Sequence, residues 1–369
     1  MRWLALVVPA VVAVFVTSAG ACSTAELKDP GSSSGNTSGG PDPDDSGVPV
    51  VVEGGRDPSA DLEGGVIPKS INVTIQVEPT DNGAAVEAAI RAAKTSVHMT
   101  MYLLTDPKVM DALGDLKDAG KDVKVVLNKT FPPNGGDNSP AYATLKGRGV
   151  NVVYAPAAYT FTHEKAVIID NAKVLIMTMN LTQTNDNREF IATDGDTADV
   201  ADAEKLFAAD FAGNSVTVAS SKLVMSPPAA SPVDARSRLI ALVDSAKTSL
   251  DVEVQSLSDT ALTDAIIRAH QAKVAVRVVI SGAPGASAGE QAATAKLKAA
   301  GVPIKGVVVP YIHAKAIVVD GATVFVGSQN FTLTALVANR ELGVVTDAPA
   351  EVAKVDAIIA QDFAAGTTP

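Results

Sequence analysis

Apolar and polar positions from residue 71 onward alternate between two spacings, one typical of helices and one typical of strands. Ala-rich stretches with apolar residues three and four positions apart predict amphipathic helices, and the short β-branched runs between them predict buried strands. Helices are predicted at Asn82–Lys94, Pro107–Ala119 and Ala141–Arg148, and strands at Val97–Leu104, Val123–Leu127 and Asn151–Tyr154. This alternation predicts an α/β fold with helices on both faces of a sheet.

The same series of elements recurs about 150 residues later, which indicates a duplicated domain. The sequence Ala-Lys-Thr-Ser, for example, occurs at 93–96 and again at 246–249. Helices of the second copy are predicted at Pro232–Lys247, Thr260–Ala272 and Glu290–Ala300, and strands at Leu250–Leu257, Val274–Ile280 and Ile304–Val309. We therefore predict two α/β/α sandwich domains, residues 71–225 and 226–369, joined at the Pro-rich stretch 226–232 and related by a pseudo-twofold axis.

The first 70 residues have a different character. Arg2 is followed by the apolar run Leu4–Val16 and by small residues up to Ala21, a pattern that predicts a signal peptide over residues 1–21 and an exported protein. Cys22 is the only cysteine, and Ala-Gly-Ala before it resembles a bacterial lipobox, although Ala19 replaces the usual Leu. Lipidation of Cys22 would anchor the chain to a membrane; the alternative is cleavage after Ala21 and free secretion. Residues 22–70, rich in Gly, Ser, Pro and Asp, are predicted to be a disordered linker.

One polar motif occurs once in each half. It reads His-x-Lys-x4-Asp, continues with a hydroxyl residue and an Asn on the following strand, and ends in Asn-Arg-Glu. The copies comprise His163, Lys165, Asp170, Thr178, Asn180 and Glu189, and His313, Lys315, Asp320, Ser328, Asn330 and Glu341. The chain has four histidines, and two of them lie in this motif.

The motif predicts a β-hairpin in each half. Alternate residues of a strand point to the same face, so the His and Lys of one strand and the hydroxyl and Asn of the next form one polar cluster. Asp320-Gly321 between two apolar runs is a strong signal for a two-residue turn, and Asp170-Asn171 occupies the same place in the first copy.

Two such clusters suit the cleavage of a phosphodiester. One imidazole would attack phosphorus and the other would protonate the leaving oxygen, so the active site is predicted at the interface of the halves. Lys165, Lys315, Asn180 and Asn330 would donate to the phosphate oxygens, and the hydroxyls of Thr178 and Ser328 are also predicted to bind the substrate. Glu189 or Glu341 could hold the imidazole of the opposite half in one tautomer. Because two lysines supply positive charge, no metal or other cofactor is predicted.

The paired motifs resemble those of the phospholipase D superfamily, over both halves from residue 71. The resemblance implies a phosphohistidine intermediate, with His163 as nucleophile, His313 as general acid, both lysines as phosphate ligands, and Asp170 and Asp320 as structural residues. The usual Gly-Ser-x-Asn is Met-Thr-Met-Asn at 177–180. Thr178 keeps the hydroxyl, whereas Met177 is expected to crowd the site.

Three functions remain open: a phospholipase D-like hydrolase or transferase acting on phospholipid diesters, a nuclease of the same superfamily, and a non-catalytic lipoprotein that kept the fold. The net charge is −11, and the acidic surplus extends beyond residue 70, which disfavours nucleic acid as the partner because such binders neutralise phosphates. A monomer suffices, since one chain carries both motifs.

Other polar and aromatic residues admit two interpretations. His98 has Asp251 at its repeat position and is read as a local substitution rather than a pocket residue. Tyr159, Phe161 and Tyr311 precede the motifs and could contact substrate or pack at the rim.

Overall fold

The computed structural model describes residues 68–131, 136–183, 186–214, 216–218, 221–227 and 234–369. The predicted signal peptide, Cys22 and all but the last residues of the predicted linker lie outside these ranges. In the part of the chain that the structure describes, no helix has the length and hydropathy needed to cross a bilayer.

The first half forms a seven-stranded sheet in the order β1-β7-β6-β5-β2-β3-β4. Its strands are β1 (Val73–Glu78), β2 (Ser96–Met101), β3 (Asp122–Leu127), β4 (Asn151–Tyr154), β5 (Lys165–Ile169), β6 (Lys173–Met177) and β7 (Glu189–Asp194). Its helices are α1 (Ala84–Arg91), α2 (Pro107–Asp118), α3 (Ser139–Gly147) and α4 (Thr197–Phe211). β2, β3 and β4 are parallel, and the motif strands β5, β6 and β7 are antiparallel.

The second half repeats this arrangement in the order β11-β10-β9-β12-β13-β14-β8. Its strands are β8 (Val224–Ser226), β9 (Ser249–Val254), β10 (Ala275–Ser281), β11 (Ile304–Val307), β12 (Lys315–Val319), β13 (Thr323–Gly327) and β14 (Glu341–Thr346). Its helices are α5 (Ala235–Asp244), α6 (Thr260–Gln271), α7 (Ala288–Ala299), α8 (Leu333–Val337) and α9 (Pro349–Ala365). β8 pairs with β14, so the second sheet begins two residues before the boundary drawn from the sequence.

Helices cover both faces of each sheet, which confirms the predicted α/β class. Helices α1–α3 pack on the outer face of the first sheet and α5–α8 on the outer face of the second. Between the sheets lies a third apolar cluster, in which Leu206 of α4 and Ile359 of α9 share one core with Ile176 of β6 and Val326 of β13. The two halves are therefore fused through a common interior, because the inner faces of both sheets are apolar.

Each motif hairpin closes with the predicted two-residue turn. Asp170 and Asn171 have φ values of 57° and 51°, and Asp320 and Gly321 have 55° and 58°. Two successive left-handed residues match the right-handed twist of antiparallel strands, which explains the Asp-Asn and Asp-Gly sequences.

The turn aspartates are structural, because they fasten the hairpin to the start of a neighbouring strand. The Asp320 carboxylate accepts the backbone N–H groups of Lys247, Thr248 and Ser249, and Asp170 is held equivalently. Burial alone would raise the pKa of Asp320, but these three N–H donors outweigh burial and hold its pKa below the ordinary value.

Candidate active site

The two motifs meet where the halves join. Parallel bridges link Thr162 to Arg340 and Arg188 to Ile312. The backbone N–H of His163 donates to the carbonyl of Arg340 at 2.9 Å, and that of His313 donates to the carbonyl of Arg188 at 3.1 Å. Each motif histidine is therefore positioned by the Asn-Arg-Glu segment of the opposite half.

Each histidine side chain also contacts a carboxylate of the opposite half. His163 Nδ1 lies 2.9 Å from both carboxylate oxygens of Glu341, and His313 Nδ1 lies 2.6 Å from Glu189 Oε1. All four side chains are buried. This crossed pairing is the arrangement expected from the sequence, and it holds Nδ1 of each ring in a fixed orientation.

The hydroxyl residues of the motif orient those carboxylates. Thr178 Oγ1 donates to Glu189 Oε2 and Ser328 Oγ to Glu341 Oε2, each at 2.5 Å. Thr178 in turn accepts the backbone N–H of Phe190 at 2.8 Å. Each hydroxyl therefore donates its hydrogen bond to a glutamate carboxylate.

The lysines and asparagines of the motifs are buried, as the histidines are. Lys165 Nζ donates to the carbonyl of His163 at 2.6 Å, and Lys315 Nζ to that of His313 at 2.7 Å. Asn330 is fully buried and Asn180 is 8% exposed. The two ammonium groups are hydrogen-bond donors of the kind that bind an anionic phosphate.

Two residues that differ between the halves complete the site, and the sequence analysis missed them. Gln255 accepts from Lys315 Nζ at 3.0 Å, whereas the equivalent Tyr102 places its ring 4.9 Å from Lys165 Nζ and 4.6 Å from the His163 ring. Both directly follow the strand next to the motif strand. Their shared repeat position was the available signal, but their different chemistry concealed it.

Burial shifts the pKa of two ionisable groups in the site. Burial lowers the pKa of His163 well below its usual value, and the charges of Lys165, Lys315 and His313 lower it further. Burial raises the pKa of Glu189 to about 8, although Lys315 opposes that shift. Burial therefore favours the neutral form of both groups, the imidazole of His163 and the carboxyl of Glu189.

The arginines of the Asn-Arg-Glu segments bind the halves together. Arg340 makes two bonds to Asp210 of α4, at 2.7 and 3.0 Å. Arg188 bonds to Asp362 of α9 at 2.6 Å. The sequence analysis assigned neither aspartate a role, yet Asp-Phe-Ala occurs at both 210–212 and 362–364. Because each arginine directly precedes a glutamate of the site, these buried pairs fix Glu189 and Glu341 next to the opposite half.

The expectation that Met177 crowds the site is wrong. Met177 and Met179 pack in the apolar cluster on the outer face of the first sheet. The alternation of β6 sends Thr178 to the opposite face, toward Glu189.

The remaining candidates contribute to packing. His98 lies between Glu204 of α4 and Asp122 of β3 and stacks on Phe207. Tyr159 lies under the Arg340 guanidinium. Phe161 and Tyr311 lie at the rim of the site, Phe161 with its ring 6.3 Å from Tyr102 and Tyr311 with its ring 6.5 Å from His313.

Comparison with known proteins agrees with this geometry. A family model described as "Cardiolipin synthase, PLD-like domain" matches residues 86–211 and 239–363. The chain is 37% identical over 112 residues to a mitochondrial cardiolipin hydrolase of Xenopus tropicalis, a match covering 30% of this chain and 52% of that protein. The chain thus spans about half the length of this curated relative.

Solved structures share the fold. The crystal structure of phosphatidylserine synthase from Haemophilus influenzae Rd KW20 has a TM-score of 0.65 at 11% identity, covering 83% of this chain and 91% of that one. Polyphosphate kinase from Porphyromonas gingivalis has a TM-score of 0.60 at 15% identity, covering 78% of this chain and 46% of that one. The two segments matched by the family model together make up more than half of the chain, and the chain therefore belongs to the phospholipase D superfamily.

Proposed function

We propose that this protein cleaves phospholipid phosphodiesters through a phosphohistidine intermediate and passes the phosphatidyl group to water or an alcohol. The observation that carries the proposal is the crossed pairing of His163 with Glu341 and of His313 with Glu189. With Nδ1 of each ring held by a carboxylate, Nε2 is the nitrogen that reacts.

In the first step His163 Nε2 attacks phosphorus and the bond from phosphorus to the leaving oxygen breaks. His313 Nε2 gives its proton to that oxygen, so an alcohol departs and the phosphatidyl group remains on His163. Lys165, Lys315 and Asn330 donate to the non-bridging oxygens as negative charge builds on them.

In the second step His313, now neutral, takes a proton from water or an acceptor alcohol. The resulting oxygen attacks phosphorus, and the bond to His163 Nε2 breaks. The starting protonation states of both histidines are restored. Whether the acceptor is water or an alcohol decides between hydrolysis and transfer.

Two observations support a lipid substrate. The relative that matches at 37% identity is named a cardiolipin hydrolase, and the net charge of −11 is unfavourable for a nucleic-acid ligand. Hydrolysis of phosphatidylglycerol or cardiolipin vesicles, measured beside single-stranded DNA under the same conditions, tests this choice. Cleavage of DNA alone would replace the lipid proposal with a nuclease.

The covalent step is tested by rapid quench and mass spectrometry. Wild type should carry an acid-labile phosphatidyl group on His163, and His163→Ala should lose both the label and turnover. His313→Ala should still be labelled at His163 by a substrate whose leaving group needs no proton. His270→Ala, which changes a histidine on α6, is the matched control. Label on His313 in wild type would reverse the assignment, and turnover without label would refute the intermediate.

Export and lipidation at Cys22 remain part of the proposal, because they would place the enzyme at the envelope where its lipid substrate lies.

A further inference from the structure

Two loops that lead into the motif histidines flank the active site. One spans residues 155–162, between β4 and β5, and the other spans residues 308–314, between β11 and β12. Neither the first loop nor residues 306–312 contain an acidic or basic residue. Ala157 and Ala158 are exposed in the first loop, and the second carries Val308 and Val309, which are 56% and 84% exposed.

The exposed valines are unusual for this protein. Among the described residues, the strongly exposed large apolar side chains are Val308, Val309 and Ile71. Exposing two adjacent valines to water is unfavourable, and contiguous exposed apolar surface commonly marks an interaction site.

The loop at residues 308–314, which carries the two valines, is hydrogen-bonded to residues of the active site. Tyr311, two residues beyond Val309, accepts from Gln255 Nε2 at 3.1 Å, and Gln255 contacts Lys315. The carbonyl of Tyr311 accepts the backbone N–H of Arg188 at 2.8 Å. Val308 and Val309 thus belong to the segment that leads directly into His313, and Tyr311 of that segment is hydrogen-bonded to residues of the site.

The first loop reaches the same rim from the other half. Thr160 N–H donates to the carbonyl of Ala338 at 3.1 Å, and Phe161 packs edge-on against Tyr102. Tyr102 in turn lies against His163. Apolar or neutral loops from both halves thus border the two histidines.

We propose that Val308 and Val309 insert into a lipid surface and dock the rim of the active site on it. The proposal rests on the proposed function, since only a substrate held in a bilayer requires such docking. A lipid surface fits better than nucleic acid, because residues 155–162 and 306–312 contain no lysine or arginine to contact phosphates and the chain as a whole is acidic. Docking by apolar insertion, unlike docking by charge, persists at high salt.

Cosedimentation with phosphatidylcholine vesicles tests the docking. The full chain is purified after export with Cys22→Ser, so that the predicted lipid anchor cannot contribute. The chain with native Val308 and Val309 should bind the vesicles equally at low and high salt. Replacing both valines, Val308→Asp with Val309→Asp, should lower the vesicle partition coefficient at least roughly tenfold. Val308→Leu with Val309→Leu should bind at least as well as the unaltered loops.

Ile71→Asp is the matched control. Ile71 is 62% exposed, and its neighbouring strand β1 begins opposite Asp194, whereas the site residue Glu189 lies opposite the other end of β1. Ile71 therefore lies away from the site. This variant should bind vesicles as the unaltered chain does, and circular dichroism should show every variant folded.

Several results would overturn the docking proposal. The double-aspartate variant could bind vesicles as well as the chain with native valines, or Ile71→Asp could lose as much binding as the double-aspartate variant. The chain with native valines could also lose its vesicle binding at high salt, or fail to bind vesicles at all. Analytical ultracentrifugation showing a dimer that the double-aspartate variant dissociates would assign the valines to self-association instead. Lipid cleavage is measured in a separate assay. Absence of cleavage would refute the proposed function, whereas the vesicle-binding data would still test the docking proposal.

Discussion

Replacing each glutamate that crosses the interface should impair a different step of the reaction. Glu341→Gln and Glu189→Gln keep the size of the side chain and remove its charge. The hydroxyl behind each one can adapt, because Ser328 and Thr178 both also contact a backbone carbonyl at 3.3 Å and can turn their protons toward it. We expect both variants to fold.

The size of the effect follows from the contacts. His163 and Glu341 are buried, and Nδ1 lies 2.9 Å from the carboxylate. A hydrogen bond to a charged group contributes about 1.5–3 kcal/mol, which corresponds to a decrease of roughly 10- to 150-fold in the rate constant if it is lost in the transition state. The same range applies to His313 and Glu189, whose atoms lie 2.6 Å apart.

A substrate whose leaving group needs no proton should distinguish the two variants by their rates of covalent-intermediate formation. On a natural diester both should be slow, because attack by His163 and protonation by His313 are both needed. On a p-nitrophenyl diester, whose leaving group needs no proton, formation of the covalent intermediate should recover in Glu189→Gln and stay slow in Glu341→Gln. Pre-steady-state release of p-nitrophenol measures this step.

The pH profile gives a second readout. Glu341→Gln should move the acid limb to lower pH, because the neutral, attacking form of His163 then persists at lower pH. Glu189→Gln should move the alkaline limb to lower pH, because protonated His313 loses its anionic partner. Equal effects of both variants on the p-nitrophenyl substrate, or a recovery seen only in Glu341→Gln, would refute the assigned roles.

Four further predictions concern stability, metals and anchoring. Arg340→Met should lower the free energy of unfolding by about 3–5 kcal/mol because it leaves the buried Asp210 carboxylate without its arginine, whereas Arg268→Met, at an exposed pair, should cost less than about 1 kcal/mol in urea denaturation. The stability that Asp320 contributes should be fully present above its ordinary pKa of 3.8 and disappear as pH falls through its lower folded value, so Asp320→Ala should flatten the acid end of the stability profile. EDTA should leave activity unchanged, and restoration by one divalent ion after a loss would indicate metal assistance. Cys22→Ser should move the exported protein from the detergent phase to the aqueous phase, and equal partitioning would exclude the lipid anchor.

Local patterns in the sequence determined much of the fold. Repeated helical and strand spacings identified the duplicated α/β domain, and most predicted helices and strands agree with the structure to within a few residues. The hairpin turns followed from Asp-Asn and Asp-Gly, because two adjacent left-handed residues have a strong sequence signature. The motif strand itself specified His163 beside Lys165, and His313 beside Lys315, since residues two apart share a face.

The strands after the motif and the long helices α4 and α9 were not predicted. β7 and β14 begin at the Asn-Arg-Glu segments, where polar residues obscure the strand pattern. α4 and α9 each bury one stripe of residues between the sheets at ordinary helical spacing, such as Val352, Val355 and Ile359 of α9, so their omission was not forced by the sequence.

Only the tertiary structure decided how the site is assembled. The bonds from His163 to Glu341 and from Arg340 to Asp210 join residues more than a hundred positions apart, and no local spacing specifies such pairs. The same is true of the contacts that Tyr102 makes with Lys165 and that Gln255 makes with Lys315. These features depend on strand register and on how the two sheets pack, which are set by the whole apolar interior rather than by any single segment.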